Sequence, residues 1–249
     1  MAESVPSILV VDDEVDTCRN LSDILTDMGF KVDMAHDGAS ALVLVKQKPY
    51  DVALLDLKMP GMDGLTLYRE IKKLRSGTVA IVITAYASSG TATEALSAGA
   101  WQVLSKPVDF PKLLNFVNEA LGQPLVMVVD DDHDLCTNLW DLLRNRGYRV
   151  CLAHDEKDAA ERLKDREFKV VLIDMKLPAG DGNTVFRIVR KANPQARTVV
   201  ITGHRSEMDQ LVKQVMDEGA DAVCYKPFDM PSLLSTLQKL SEEHAAKGS

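Results

Sequence analysis

Short apolar runs alternate with amphipathic stretches along the whole chain. In the first half, Ile8–Val11, Val52–Leu55 and Val79–Ile83 are continuous and rich in β-branched residues, as strands buried on both faces are. Lys31–Ala35 and Trp101–Leu104 complete five predicted strands. The pattern therefore predicts a sheet whose two faces are both covered.

Stretches with helical spacing separate these strands. Cys18, Leu21, Leu25 and Met28 recur at intervals of three and four residues, which places them on one face of a predicted helix. Strands that alternate with helices predict a parallel sheet, because parallel strands need crossover connections. The second half shows the same order and ends on a predicted helix near Ser232–Leu240.

The second half also repeats the first half residue by residue. The matched segments are Val10–Asp13 with Val128–Asp131, Asp56 with Asp174, Thr84 with Thr202, and Lys106-Pro107 with Lys226-Pro227. A repeat this long that occurs twice indicates duplicated domains rather than a solenoid. Gly122 and Pro124 form a helix stop signal between the copies, so we predict domains 1–122 and 123–249.

Composition narrows the possible functions. The 249 residues carry a net charge of −8, and neither half has the clustered Lys and Arg that grip nucleic acid, so we expect no direct nucleic acid binding. No apolar run reaches about 18 residues, so no membrane span is expected. The four cysteines form no CxxC pair and the N-terminus lacks a signal core, which favours a cytoplasmic protein.

Polar residues follow the predicted strands at their carboxyl ends, the edge where such sheets bind ligands. In the first copy these are Asp12, Asp13, Asp56, Thr84 and Lys106, and in the second Asp130, Asp131, Asp174, Thr202 and Lys226. Converging carboxylates repel one another unless a cation intervenes, and Mg²⁺ prefers such oxygen ligands. Lys and Thr can bind the oxygens of a phosphoryl group. Asp56 and Asp174 each stand alone at a strand end, which makes them the candidate nucleophiles.

Four motifs in order, VVDDE, LLDLKMPGMDG, ITA and SKP, resemble those of a response-regulator receiver domain of two-component signalling. The motifs VVDDD, LIDMKLPAGDG, ITG and YKP resemble a second one. The resemblance covers Ser7–Leu121 and Leu125–Leu240. It implies two tandem doubly wound (βα)5 domains of flavodoxin-like fold, each a parallel five-stranded sheet of order 2-1-3-4-5.

The resemblance also implies a role for each site residue. The phosphoacceptors would be Asp56 and Asp174; the Mg²⁺ ligands (Mn²⁺ as an alternative) would be Asp12, Asp13, Asp56 and the Lys58 carbonyl, and Asp130, Asp131, Asp174 and the Lys176 carbonyl. The residues that bind the phosphoryl group would be Thr84, Lys106, Thr202 and Lys226. Each Lys precedes a Pro that is typically cis in the family.

The chain departs from the family pattern three residues before each Lys, where receivers usually carry Tyr or Phe. Val103 and Val223 stand there. Strand alternation predicts that Trp101 and Tyr225 lie on the same side as these valines. Either aromatic could substitute for the missing ring, but strand rise separates each from the usual place by about 6–7 Å, so we do not expect the ordinary aromatic switch in either copy.

A glycine and a histidine also recur at matching positions of the two copies, and phosphoryl transfer requires neither of them. Gly64 and Gly182 are predicted to serve the turn before the third helix of each copy. His36 and His154 are predicted to have a local structural role.

The resemblance implies a signalling protein that accepts a phosphoryl group from a histidine kinase or a histidine phosphotransfer protein. It would catalyse only its own phosphorylation and dephosphorylation, and it would dimerise through its fourth helix, fifth strand and fifth helix. Two alternatives are a receiver scaffold with silent sites and the N-terminal regulatory part of a longer hybrid kinase or effector. A phosphatase of the haloacid-dehalogenase type is disfavoured, because Lys58 and Lys176 occupy the position of its second acid.

Overall fold

A computed structural model describes residues 5–85, 89–177, 180–203 and 209–245. The chain divides into two compact units, Met1–Gln123 and Pro124–Ser249. The first contains β1 (Ser7–Val11), α1 (Val15–Asp27), β2 (Lys31–Ala35), α2 (Gly38–Gln47), β3 (Val52–Asp56), α3 (Gly64–Leu74), β4 (Val79–Thr84), α4 (Ser89–Ser97), β5 (Gln102–Ser105) and α5 (Phe110–Gly122). The second contains β6 (Leu125–Val129), α6 (His133–Arg144), β7 (Arg149–Ala153), α7 (Glu156–Asp165), β8 (Val170–Asp174), β9 (Lys176–Leu177), β10 (Gly180–Asp181), α8 (Gly182–Ala192), β11 (Arg197–Thr202), α9 (Asp209–Asp217), β12 (Ala222–Tyr225) and α10 (Met230–Ala245).

Each unit is built on a five-stranded sheet whose paired strands are all parallel. The strand orders are β2-β1-β3-β4-β5 and β7-β6-β8-β11-β12, which confirms the predicted order 2-1-3-4-5 in both copies. The order reverses between the first and third strands of each unit. Side chains that leave the carboxyl ends of these two strands therefore meet in one crevice.

The continuous apolar runs are buried on both sides, as the sequence predicts. Every residue of β3 and of β8 is buried. In the first unit α1 and α5 cover one face of the sheet, and α2, α3 and α4 cover the other. Cys18, Leu21 and Leu25 point from α1 into the core, but the prediction for Met28 is wrong. The helix ends at Asp27, so Met28 lies at its cap with 54% of its surface exposed.

The prediction that Trp101 lies beside Val103 is also wrong. Strand β5 begins at Gln102, so alternation does not extend to Trp101, which occupies the bend before the strand. Trp101 packs on the α1–α5 face, whereas Val103 packs on the opposite face. Tyr225 lies inside β12 together with Val223, so alternation applies to it, and its side chain is exposed.

One element was not predicted. In the second unit β9 and β10 form a short antiparallel hairpin directly after the end of β8. The matching segment of the first unit, 57–63, contains no strand. Among the described residues no helix is both long enough and apolar enough to cross a bilayer.

Candidate functional site

Three carboxylates meet at the carboxyl edge of each sheet. Val11 pairs with Leu55, so the residues that follow them, Asp12 and Asp56, end neighbouring strands at the same level. One ligand oxygen each of Asp12, Asp13 and Asp56 lies within 4.8 Å of the others. In this group Asp12 and Asp56 are buried and Asp13 is exposed.

The second unit repeats this group from its own strands. Asp130, Asp131 and Asp174 satisfy the same 4.8 Å limit, with Asp131 as the exposed member. The structure therefore brings together, within each unit, the three aspartates that the sequence analysis singled out in that copy.

A lysine bridges the two buried carboxylates of each group. Lys106 Nζ lies 2.7 Å from Asp12 Oδ2 and 2.7 Å from Asp56 Oδ2. Its backbone N–H donates to the Thr84 carbonyl at 2.9 Å, which ties the lysine to the end of β4. The Lys106–Pro107 bond is cis, as the resemblance implies.

The second lysine has the same arrangement. Lys226 Nζ lies 2.7 Å from Asp130 Oδ2 and 2.7 Å from Asp174 Oδ2. Its N–H donates to the Thr202 carbonyl at 2.8 Å, and the Lys226–Pro227 bond is cis. Thr84 and Thr202 are both buried at the strand ends.

Burial and ion pairing act against each other in this crevice. Burial raises the pKa of Asp12 above its ordinary value, and the contacts with Lys106 only partly oppose that effect. Burial also disfavours the charged form of Lys106, but its two carboxylate partners outweigh burial and raise its pKa. The two results are compatible because the lysine faces two anions, while both buried carboxylates share a single cation. Asp130 and Lys226 shift in the same directions.

The charge balance of the crevice fits a divalent cation. Three carboxylates and one ammonium group leave each site with a formal charge of −2. All the candidate side-chain ligands are oxygens, the donor type that hard divalent cations prefer. These acidic groups can hold a metal ion, and one exposed carboxylate in each leaves the site open to solvent.

Backbone N–H groups fix the orientation of the buried carboxylates. Asp12 Oδ1 accepts from Glu14 N at 3.0 Å, and Asp56 Oδ1 accepts from Lys58 N at 3.2 Å. In the second unit Asp174 Oδ1 accepts from Lys176 N at 3.1 Å. The two lysines after the acceptor strands thus orient the aspartates through their backbone, while their side chains are exposed.

Gly64 and Gly182 have a role that the sequence analysis did not predict. Neither has a positive φ, so no left-handed turn conformation requires glycine at these positions. A Cβ on Gly64 would stand 2.1 Å from the Asp56 carbonyl oxygen, and one on Gly182 would stand 2.4 Å from that of Asp174. Glycine is required because the helix begins against the backbone of the acceptor strand.

The two recurring histidines, for which the sequence predicts a local structural role, lie at the edge of the two sites. His36 Nδ1 lies 3.3 Å from the Asp12 carbonyl oxygen, and His154 Nδ1 lies 3.1 Å from that of Asp130. The His133 ring stands 4.0 Å from the His154 ring, centroid to centroid. Their recurrence at matching positions of the two copies is visible in the sequence, but the contact with the aspartate carbonyl is not.

Comparisons with known proteins identify the family of both halves of the chain. The family model for the response regulator receiver domain matches residues 8–118 and 126–238. A response regulator receiver protein of Anaeromyxobacter sp. (strain Fw109-5) is 34% identical over 235 residues, which are 94% of this chain and 95% of that protein. The transcriptional regulatory protein ZraR of Klebsiella oxytoca is 42% identical over 115 residues, or 46% of this chain and 26% of ZraR. The chain thus spans about a quarter of the length of that regulator.

Solved structures include a CheY-like receiver domain protein of Methanospirillum hungatei JF-1. It is 34% identical, with a TM-score of 0.46, over 47% of this chain and 94% of that chain. The response regulator TrrA of Thermotoga maritima, solved in complex with Mg(2+)-BeF, is 33% identical, with a TM-score of 0.43, over 47% of this chain and 99% of that chain.

The fold, the duplicated site and the matches over both halves define the class of protein. The chain belongs to the response regulator receiver family, and it carries two receiver domains in tandem. It is therefore a signalling protein of the two-component phosphorelay type.

Proposed function

We propose that each receiver accepts a phosphoryl group on the aspartate that ends its third strand, Asp56 in the first and Asp174 in the second. The donor would be a histidine kinase or a histidine phosphotransfer protein, and the reaction would require Mg²⁺. The observation that supports this most directly is the shared lysine. Lys106 Nζ stands 2.7 Å from an Asp56 oxygen, where a phosphoryl group on that aspartate would place new negative charge.

The proposed step is a phosphoryl transfer with little covalent chemistry for the protein to perform. A carboxylate oxygen of Asp56 attacks phosphorus, the bond from phosphorus to the donor imidazole nitrogen breaks, and that nitrogen keeps the electron pair. The Lys58 N–H holds the other carboxylate oxygen, which leaves one oxygen directed by Lys106. Thr84, buried at the end of β4, is proposed to donate to a phosphoryl oxygen.

The metal would be held by Asp12, Asp13 and Asp56, with the Lys58 carbonyl as a further proposed ligand, and by the matching residues of the second unit. When bound, Mg²⁺ would neutralise the charge that develops on the transferred group. No activity is proposed beyond gain and loss of the protein's own phosphoryl groups.

The test is phosphorylation by acetyl phosphate in the presence of Mg²⁺, followed by intact mass measurement. We expect the parent protein to gain two phosphoryl groups, Asp56→Asn and Asp174→Asn to gain one each, and the double variant to gain none. Chelation of Mg²⁺ should abolish every gain. Absence of any gain in the parent, or an equal gain in the double variant, would refute the proposal. A unit that stays unmodified while its neighbour reacts would be a silent scaffold.

We also propose that phosphorylation changes self-association through the α4–β5–α5 face. Leu96 on α4 is 44% exposed, so it is accessible to a partner on that face. Light scattering with and without beryllofluoride tests this, and an unchanged mass would contradict it.

A further inference from the structure

Each polar group of Asp12 makes a hydrogen bond or an ion pair. Its N–H donates to the Ala35 carbonyl, and its two carboxylate oxygens accept from Glu14 N and Lys106 Nζ. Its own carbonyl oxygen is the remaining group, and the His36 ring reaches it at 3.3 Å. The histidine thus completes the set of contacts that fixes this residue.

The second unit has the same contacts around Asp130, and the distance from the histidine to the carbonyl is shorter. The Asp130 carbonyl oxygen lies 3.1 Å from His154 Nδ1 and 3.3 Å from Cys136 Sγ. The remaining groups of Asp130 match those of Asp12, since its carboxylate accepts from Asp132 N and Lys226 Nζ. The same geometry in two copies makes a chance contact a poor explanation.

The next residue, Asp13, is held very differently. It is exposed, and within the described part of the chain no hydrogen bond reaches its carboxylate. The Asp12 carbonyl and the Asp13 nitrogen belong to one planar peptide group. Whatever fixes that carbonyl therefore fixes the direction in which the chain enters Asp13.

The hydrogen bond to the carbonyl also determines the tautomer of the histidine ring. A backbone carbonyl only accepts, so His36 Nδ1 must carry the proton, and the same holds for His154. Neither ring nitrogen needs to contact the metal or the phosphoryl group for this effect. The contact is from ring to backbone, one residue away from the exposed metal ligand.

We propose that His36 and His154 are positioning residues for the two metal sites, each orienting the exposed carboxylate of Asp13 or Asp131 through the preceding peptide group. This inference rests on the proposed function, because it assumes that the acidic groups bind a divalent cation. It assigns the histidines a part in metal affinity rather than in the transfer step itself.

The test measures metal binding in the full chain without any reaction, using the electron paramagnetic resonance signal of free Mn²⁺, an ion that suits the same oxygen ligands. The variants Asp131→Asn and Asp174→Asn together silence the second site, so that the first is measured alone. In that background we expect His36→Leu to weaken Mn²⁺ binding about tenfold, as loss of an outer partner of a metal ligand does. His36→Asn should restore most of the affinity, since its amide can donate from nearly the same place as Nδ1.

The reverse background, with Asp13→Asn and Asp56→Asn, isolates the second site for His154→Leu and His154→Asn. His133→Val is the matched control, because it removes the neighbouring tilted ring but leaves the hydrogen bond to the carbonyl, and the first unit has Val15 at this position. It should change the affinity much less than His154→Leu.

Three results would overturn the inference: unchanged Mn²⁺ affinity in both Leu variants, no rescue by Asn, or an equal loss in His133→Val. Acetyl phosphate then separates this inference from the proposed function. If the parent binds Mn²⁺ and takes up phosphoryl groups while the Leu variants bind metal normally, only the histidine role fails. If the parent binds no Mn²⁺, the metal-dependent function and the inference fail together.

Discussion

Replacement of Gly64 by alanine perturbs the contact between α3 and the acceptor strand. The new Cβ would stand 2.1 Å from the Asp56 carbonyl oxygen and 2.9 Å from its carbonyl carbon. Real Cβ contacts essentially never fall below 3.0 Å, so α3 and the end of β3 must separate by 3.0 − 2.1 = 0.9 Å or more. Both obstructing atoms belong to the backbone, so no side chain can rotate to make room.

The cost follows from what α3 buries. Its side chains Leu65, Leu67, Tyr68 and Ile71 are all in the core, and a shift of the helix loosens their contacts together. Overpacking of a core usually costs about 1–3 kcal/mol, and a backbone clash belongs at the upper end of that range. We therefore expect Gly64→Ala to lower the free energy of unfolding of the first unit by about 3 kcal/mol.

Urea unfolding followed by tryptophan fluorescence measures this effect, because each unit contains one tryptophan. With Trp140→Phe as the reference background, Trp101 reports the first unit alone. At a slope of about 1.5 kcal/mol per M, the midpoint should fall by about 2 M. Gly90→Ala is the control, because its Cβ would meet nothing within 4 Å. It should stabilise α4 by up to about 1 kcal/mol.

A midpoint for Gly64→Ala equal to that of the reference, or equal to that of Gly90→Ala, would refute this reasoning. Gly182→Ala provides a second trial in the other unit, where the Cβ would stand 2.4 Å from the Asp174 carbonyl oxygen. That Cβ would also stand 2.6 Å from Met175 Cα, so two backbone atoms obstruct it and we expect a loss of stability comparable to that in the first unit.

Three further predictions concern stability and the metal. Tyr68→Phe removes a buried hydrogen bond of 2.9 Å to the Gly99 carbonyl and should cost the first unit about 1 kcal/mol in urea unfolding. Asp12→Asn should stabilise that unit at pH 7 in the presence of a chelator. Because burial raises the folded-state pKa of Asp12, its ionised form opposes folding above that pKa, and the gain should disappear as the pH falls toward the ordinary value of 3.8. Free Mg²⁺ at ten times its Kd should stabilise each unit by about 1.4 kcal/mol in thermal unfolding, and Asp13→Asn with Asp131→Asn should remove the effect.

Each of these has a distinct contrary result. An unchanged midpoint for Tyr68→Phe would show that water replaces the lost bond. If Asp12→Asn still raised the free energy of unfolding at pH 3, ionisation of that carboxylate would not be the cause of the stabilisation. Stabilisation by Mg²⁺ that survives loss of both exposed aspartates would place the bound ion elsewhere.

The sequence determined the fold class and most of the site. Short apolar runs such as Val52–Leu55 favour strands buried on both faces, and their alternation with helices leaves few arrangements besides a parallel sheet. Parallel strands end at one edge, but the order 2-1-3-4-5, which makes the first and third strands neighbours and brings Asp12 and Asp56 together, was implied only by the family resemblance. The same residues recur at matching positions of the second half, so the same inference applies to both copies.

Tertiary structure decided what depends on distance across the fold rather than on position along the chain. Periodicity assigned Trp101 to the wrong face, because the strand begins one residue later than the apolar pattern suggests. Sequence shows that Gly64 and His36 recur, but not what lies against them. A 2.1 Å approach between a helix and a strand carbonyl, and a ring nitrogen 3.3 Å from a backbone oxygen, exist only once the elements have packed.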